Sequence, residues 1–359
     1  NLKKNKIPRL PATELTTSEF RRKKELMSKE VQQIIISESR DLTDLIDAYA
    51  KSSFQARNLG LASHLYYKQS LSPTGIIWSL AGSLFGAGLR QITIDAIRNN
   101  LVDVLVCTGA LFEQDMLEAL GHKHYVCGPE QDDRELQSLG IDRVYDHLLD
   151  EMGLRQVDLT FKKIAAEMPE GHYSSREFME FAGRWMSNAQ GVTDSVMQAA
   201  YERKVPIFIP AINDSSIGIG LAMNQNEKHN TMSIDSIKDL RELAYLKSKC
   251  GDTGIIVVGG GVPKNYSQDA VVAAEMLGYE VDKHKFGIQI STADVRDGGL
   301  SGSTLKEAIS WGKNDKEIEE VMVWGEATVY FPLLVGYVRQ KLRDKKRKGR
   351  QFTNIFKSK

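Results

Sequence analysis

The chain has 359 residues, and its 47 lysines and arginines are balanced by 47 aspartates and glutamates. A formal net charge of zero gives no global field toward nucleic acid or an anionic membrane, so neither is expected as a partner. The length carries one large α/β domain or two smaller ones, and no apolar run approaches the roughly 20 residues that span a bilayer.

Residues 1–40 are polar and charged and include the basic patch FRRKKELMSK (20–29). They read as an N-terminal arm, helical from Ser18 onward, that lies outside the core. Asn1 rather than Met opens the chain, which leaves room for a segment upstream. From about residue 41 to 340 a β-then-α rhythm follows. Apolar, β-rich runs occur at IIWSLAG (76–82), VDVLVCTG (102–109), VPIFIPA (205–211), GIIVVGGG (254–261), FGIQIST (286–292) and EVMVWGEA (320–327). Amphipathic stretches such as 235–250 and 267–279 lie between them. Near-continuous apolar strands alternating with helices predict an α/β fold with a mostly parallel sheet, covered by helices on both faces. The chain closes on KLRDKKRKGRQFTNIFKSK (341–359), read as a solvated basic tail.

Several strands run straight into small or polar residues: CTGA, PAINDSS, GGGVPKN and STADVRDGG. Ligands of open α/β sheets bind beyond the carboxyl ends of the strands, so these loops mark the expected ligand edge. Gly259, Gly260 and Gly261 allow the close backbone approach that a phosphate-bearing cofactor needs. The cluster GSLFGAGLRQ (82–91) opens a helix but does not fit G-x-G-x-x-G. His122 and His124 lack a metal-site pattern and read as surface residues, and no metal is expected. Cys107, Cys127 and Cys250 show no CxxC spacing, which suits a reducing, cytoplasmic setting.

One stretch, EAISWGKND (307–315), sets Trp311 and Lys313 on either side of Gly312. Thr304 and Glu307 form a capping-box pattern that predicts a helix from about Leu305, with Leu305, Ala308 and Ile309 as its apolar stripe and Gly312 as its left-handed end. Glu307 and Trp311, four apart, would then share a face. A lysine becomes a nucleophile only as the neutral amine, which takes desolvation or a nearby cation. Taken alone, these residues read Lys313 as a surface lysine.

EAISWGK preceded by DGGLSG, with VDVLVCTGA, PAINDSSIG and GGGVPKN upstream in that order, resembles the deoxyhypusine synthase family over about residues 50–340. The resemblance implies a Rossmann-like homotetramer with NAD at subunit interfaces. It implies oxidation of spermidine, capture of the butylamine fragment as an imine on a lysine, and transfer to one lysine of the hypusine-containing translation factor. On this basis Lys313 matches the imine-forming lysine, and Glu307 and Trp311 line the polyamine pocket. Ser83, Thr108, Gly109, Asp214, Gly260, Gly261, Thr292, Ala293, Asp297, Ser301, Glu326 and Ala327 fall at positions that contact NAD, with Glu326 in place of the usual aspartate.

The departures concern the amine. Ile219 and Leu300 stand where the family carries acids, Asn265 where it carries a histidine, and Gly82, Ser83 and Gly86 replace the usual first cofactor loop. An ammonium buried against Ile or Leu without a partner costs several kcal/mol. GGLSG and PKN are similar to the divergent, deoxyhypusine synthase-like branch found in prokaryotes, which is associated with other amine transfers such as homospermidine formation. The expected activity is therefore aminobutyl transfer to the translation factor. The alternatives are a homospermidine synthase-like enzyme acting on putrescine-like amines, or a catalytically weak regulatory paralogue.

Overall fold

Six apolar runs become six strands of one sheet in the computed structural model, which describes residues 15–227 and 230–358. They are β1 (Gly75–Leu80), β2 (Val104–Cys107), β3 (Ile207–Phe208), β4 (Thr253–Val258), β5 (His284–Ser291) and β6 (Asn314–Trp324). Every neighbouring pair is parallel, in the order β6-β5-β4-β1-β2-β3. Read from the other edge this is 3-2-1-4-5-6, the Rossmann order, whose direction reverses between β1 and β4.

All six positions of β1 and β4 are buried, so these strands do not alternate between apolar and polar. Ile76, Trp78 and Leu80 pack on one face of the sheet with Tyr66, Phe112 and Phe331. Ile77 packs on the other face with Val104, Val106, Phe208, Ile255, Leu243 and Leu246. Helices Arg90–Arg98, Gly109–Ala119, Ser216–Asn226, Gly261–Met276 and Ala327–Lys341 follow β1, β2, β3, β4 and β6. The crossover from β5 to β6 is the exception. Residues 292–313 hold only two short 3₁₀ turns, Val295–Asp297 and Glu307–Ile309.

Three boundaries differ from the sequence reading. The third strand shrinks to two residues because Pro206 and Pro210 bracket it and cannot donate to a ladder. The last strand begins at Asn314, six residues before the predicted 320. The helix after β4 starts at Gly261 rather than at 267. Between β2 and β3 lies an unpredicted three-stranded antiparallel sheet, Tyr125–Val126, His147–Asp150 and Ile141–Val144. Its strands have two to four residues and little burial, so they leave no apolar run to read.

The N-terminal helix spans Thr17–Leu26, one residue earlier than predicted, behind a capping box of Thr16 and Glu19, and it buries none of its side chains. Residues 1–14 of the expected arm lie outside the described residues. The solvated reading of 341–359 is corrected. Arg347 is buried and donates to Asp103 at 2.6 and 3.0 Å, to the Thr74 carbonyl at 2.9 Å and to the Asn100 carbonyl at 2.6 Å. Phe352 and Thr353 are buried as well. The charge of the 341–359 segment counts the arginine but not Asp103, 244 residues away, which receives it. Among the described residues no helix is long and apolar enough to cross a membrane.

Candidate active site

The carboxyl ends of the six strands carry almost all the residues that the resemblance singles out for the cofactor. Ser83 follows β1, Thr108 and Gly109 follow β2, Asp214 follows β3, and Gly260 and Gly261 follow β4. Thr292 and Ala293 follow β5, and Glu326 and Ala327 follow β6. Several of these loops are close. A Cβ on Gly109 would lie 2.3 Å from Ser215 Oγ, and one on Gly260 would lie 2.5 Å from Ser301 Cα. The Gly261 amide donates to Ser301 Oγ at 3.0 Å. Gln289, buried in β5, donates to the carbonyls of Gly259 at 3.0 Å and Ser301 at 2.9 Å. Gln114 donates to Ser83 Oγ at 2.8 Å and accepts from the Gly86 amide at 2.9 Å.

These features fit a dinucleotide. Thr108 Oγ1 is buried at the end of β2 with no partner among the described residues, as expected of a hydroxyl waiting for a ligand. Asp214 and Asp297 are exposed at the edge. Asp297 accepts from the Gly299 amide at 2.6 Å, and Glu326 caps the last helix by accepting from the Thr328 amide at 2.9 Å. Both carboxylates are thus oriented by their own loops.

Lys313 comes from the opposite end of the sheet, since it immediately precedes β6. Its predicted helix is not formed. Thr304 and Glu307 make their reciprocal bonds at 3.1 and 3.4 Å, but only the 3₁₀ turn Glu307–Ile309 follows. The stretch between cap and Gly312 is too short to offset helix nucleation, and the Leu305 carbonyl accepts from Asn314 Nδ2 at 2.8 Å. Leu305 and Ala308 are buried as the stripe required, whereas Glu307 and Trp311 are exposed. Gly312 has φ of 73°, the left-handed turn read from the sequence.

That turn aims Lys313 at the helix Gly261–Met276. Lys313 Nζ donates to Asn265 Oδ1 at 2.7 Å and lies 2.9 Å from Asp269 Oδ1, while Asn265 Nδ2 donates to Asp269 Oδ2 at 2.7 Å. Nζ also sits 5.4 Å from the Trp311 ring centre. The ammonium is thus held about 6–12 Å along the helix from Gly261, at 1.5 Å rise per residue. Asp269 was not foreseen. Its only sequence signal is the spacing of four from Asn265 on one helix.

A second lysine is nearby and was also missed. Lys264 is fully buried, and its Nζ donates to the Leu300 carbonyl at 2.9 Å and to Ser303 Oγ at 2.8 Å. Burial pushes its pKa down to about 8; Glu307 opposes the shift and Lys313 adds to it. The contact ties the glycine-rich segment DGGLSGS to the start of the helix.

Ile219 and Leu300 are half-exposed. Leu300 reaches the lysine region through its backbone. Ile219 belongs to the helix after β3, at the far edge of the sheet from β6. Five strand spacings of about 4.8 Å put these two edges roughly 24 Å apart. His124 has a side chain largely buried rather than on the surface, with Nδ1 3.0 Å from Glu118 and its ring beside His147. Among the described residues no group of three or more potential ligands converges on a metal site.

The family model described as deoxyhypusine synthase matches residues 44–338. A deoxyhypusine synthase-like protein of Chlorobaculum parvum is 47% identical over 323 residues, covering 89% of this chain and 92% of the relative. The "Probable deoxyhypusine synthase 2" of Methanosarcina mazei is 37% identical over 315 residues, covering 88% and 91%. A crystal structure from Entamoeba histolytica, provisionally assigned to deoxyhypusine synthase, superposes with a TM-score of 0.59 at 16% identity over 89% of this chain and 99% of that one, a likeness of fold.

Proposed function

The chain belongs to the deoxyhypusine synthase family, and we propose that it is an NAD-dependent transferase moving a 4-aminobutyl group from spermidine through an imine on Lys313. Membership of the family supports a transferase. The observation that carries the finer reading is the setting of Lys313, held by Asn265 and Asp269 beside Trp311 on a left-handed glycine turn.

Bound NAD would accept a hydride from the donor amine and later return it. Thr108, the Gly260–Gly261 turn, Ser301 and Asp214 would hold it at the carboxyl edge. Lys313, as the neutral amine, attacks the carbon of the oxidised donor. The bond from that carbon to the diaminopropane nitrogen breaks, and diaminopropane leaves carrying the proton. The acceptor amine then displaces Lys313, and reduction fixes the product. Trp311 supplies a face for an ammonium.

The acceptor in the leading reading is a lysine of the hypusine-containing translation factor. A free putrescine-like diamine is the second reading, favoured by Ile219 and Leu300, whose apolar side chains cannot pair with the far ammonium of spermidine. The wide separation of the β3 and β6 edges supports a site completed between copies, in keeping with a homotetramer. The free thiols Cys107, Cys127 and Cys250 are in keeping with a reducing, cytoplasmic setting. Incubation with NAD and labelled spermidine or putrescine, with and without the factor, tests the assignment. Borohydride added during turnover should leave an aminobutyl adduct on Lys313, and Lys313→Ala should abolish transfer. An active Lys313→Ala enzyme would remove the reading.

A further inference from the structure

Asp269 has no assigned role, yet it is the carboxylate nearest to Lys313 Nζ, at 2.9 Å. Its other oxygen accepts from Asn265 Nδ2 at 2.7 Å, and Asn265 Oδ1 accepts from Lys313 at 2.7 Å, so the three side chains form a closed ring of contacts. The Lys313 side chain is 12% exposed, whereas that of Asp269 is 40% exposed. A cation arriving from solvent therefore meets Asp269 before it meets the lysine. Asp269 also lies in mid-helix, where it caps nothing. With Nζ held by the Asn265 amide oxygen and the Asp269 carboxylate, Lys313 must leave both before it can reach a donor carbon.

We propose that Asp269 is an ammonium anchor of the substrate pocket, and that an incoming amine displaces Lys313 from it. The proposal rests on the reading of Lys313 as the imine-forming residue. The arriving ammonium takes over the carboxylate and releases Lys313 Nζ, which is then free to turn toward the donor carbon. Binding and activation are thus one event: the lysine stays masked until a cationic amine is in place. Asp269 also supplies an acid that Ile219 and Leu300 do not. With one such anchor the pocket suits a diamine, or one end of a longer polyamine.

The test uses the full-length protein, Asp269→Asn, Asp269→Glu and Lys313→Ala. Two quantities are measured at pH 7.5: putrescine affinity by calorimetry in the presence of NAD, and the rate at which butanal, an aldehyde with no charge for Asp269 to bind, labels Lys313 with cyanoborohydride in the absence of NAD. Asp269→Asn should bind putrescine about ten- to a hundredfold more weakly, as expected for loss of a charge-assisted contact. The same variant should label at Lys313 severalfold faster, because the lysine has lost its counter-ion. Asp269→Glu should restore both values toward those of the native protein. A substitution that merely loosens the helix would not weaken one and accelerate the other. Unchanged affinity and unchanged labelling in Asp269→Asn overturn the exchange while leaving the imine reading intact. Equal labelling of native protein and Lys313→Ala, with activity retained, instead removes the imine reading itself.

Discussion

Lys264 and Ser303 are joined twice, since the buried ammonium donates to both the hydroxyl and the carbonyl of that serine. The bond makes Lys264 a clamp for the β5–β6 crossover, one position before Asn265, the residue that accepts from Lys313. Lys264 stands on the helix and Lys313 beside it. Their partners separate them: Lys264 is surrounded by carbonyls and a hydroxyl, and Lys313 by an amide and a carboxylate.

Lys264→Met should therefore leave the Leu300 and Ser303 carbonyls without their donor, at a cost of about 1–3 kcal/mol for each buried group left unpaired. The lost clamp also frees Ser301 from its place at the Gly261 amide, so NAD binding should weaken. Borohydride trapping should still find its adduct on Lys313. Peptide mapping of the trapped variant checks this, and disappearance of the adduct together with retained NAD binding would make Lys264 the reactive lysine.

The Arg347–Asp103 pair gives a second prediction. Asp103 is 1% exposed, takes both arginine nitrogens and also accepts from the Ile76 amide of β1 at 2.9 Å. Removing one partner strands the other charge, which typically costs about 3–5 kcal/mol. Asp103→Ala and Arg347→Ala should each lower the denaturation midpoint strongly. The double variant should lose less than the sum of the two. Additive losses in urea titrations would show that the charges are not energetically coupled.

What could be read from the sequence follows from which signals are local. The sheet was legible because β1 and β4 are buried at every position, and unbroken apolar runs need no context to recognise. The turn at Gly312 and the cap between Thr304 and Glu307 were legible for the same reason. The helix between them was not, because Asn314 takes the Leu305 carbonyl from outside the segment. Asp269 and Lys264 are long-range partners, 44 and 39 residues from Lys313 and Ser303, and beyond the spacing of four between Asn265 and Asp269 nothing local announces them. The buried Arg347 failed in the opposite way: a run of lysines and arginines looks solvated until the aspartate 244 residues away is seen.

His284 predicts a pH dependence of stability. It is fully buried, accepts at Nδ1 from Thr253 Oγ1 at 2.9 Å, and donates from Nε2 to the Ser267 carbonyl at 3.2 Å, which fixes the neutral tautomer. Burial, helped by the nearby Lys247 charge, pushes its pKa down to about 3. As pH falls below about 6.5 the unfolded chain takes up the proton first. Stability is therefore fully present above that pH and declines toward pH 3, by roughly 3 kcal/mol at pH 4 from this group alone. Thermal unfolding between pH 7 and 4 should show the decline, and His284→Gln should flatten it. An unchanged slope in that variant would assign the acid sensitivity to other groups.

The last prediction concerns the two edges of the sheet. Asp214 follows β3 and Lys313 precedes β6, and these are the outermost strands, roughly 24 Å apart at about 4.8 Å per strand spacing. If Asp214 and Lys313 serve one site, two copies packed about a two-fold axis, the β3 edge of one against the β6 edge of the other, would bring them together. Asp214→Ala and Lys313→Ala should each be inactive alone. Co-expressed in equal amounts, they should recover about a quarter of native activity, because each site then draws an intact lysine and an intact aspartate independently, with a chance of about one half each. If each site lay within one chain, no copy would carry both residues and activity would stay at zero. The two proteins should also be purified separately and combined without unfolding. A rise in activity only after co-expression would mark an assembly that forms once and does not exchange, and no recovery after co-expression of copies shown to mix would overturn the shared site.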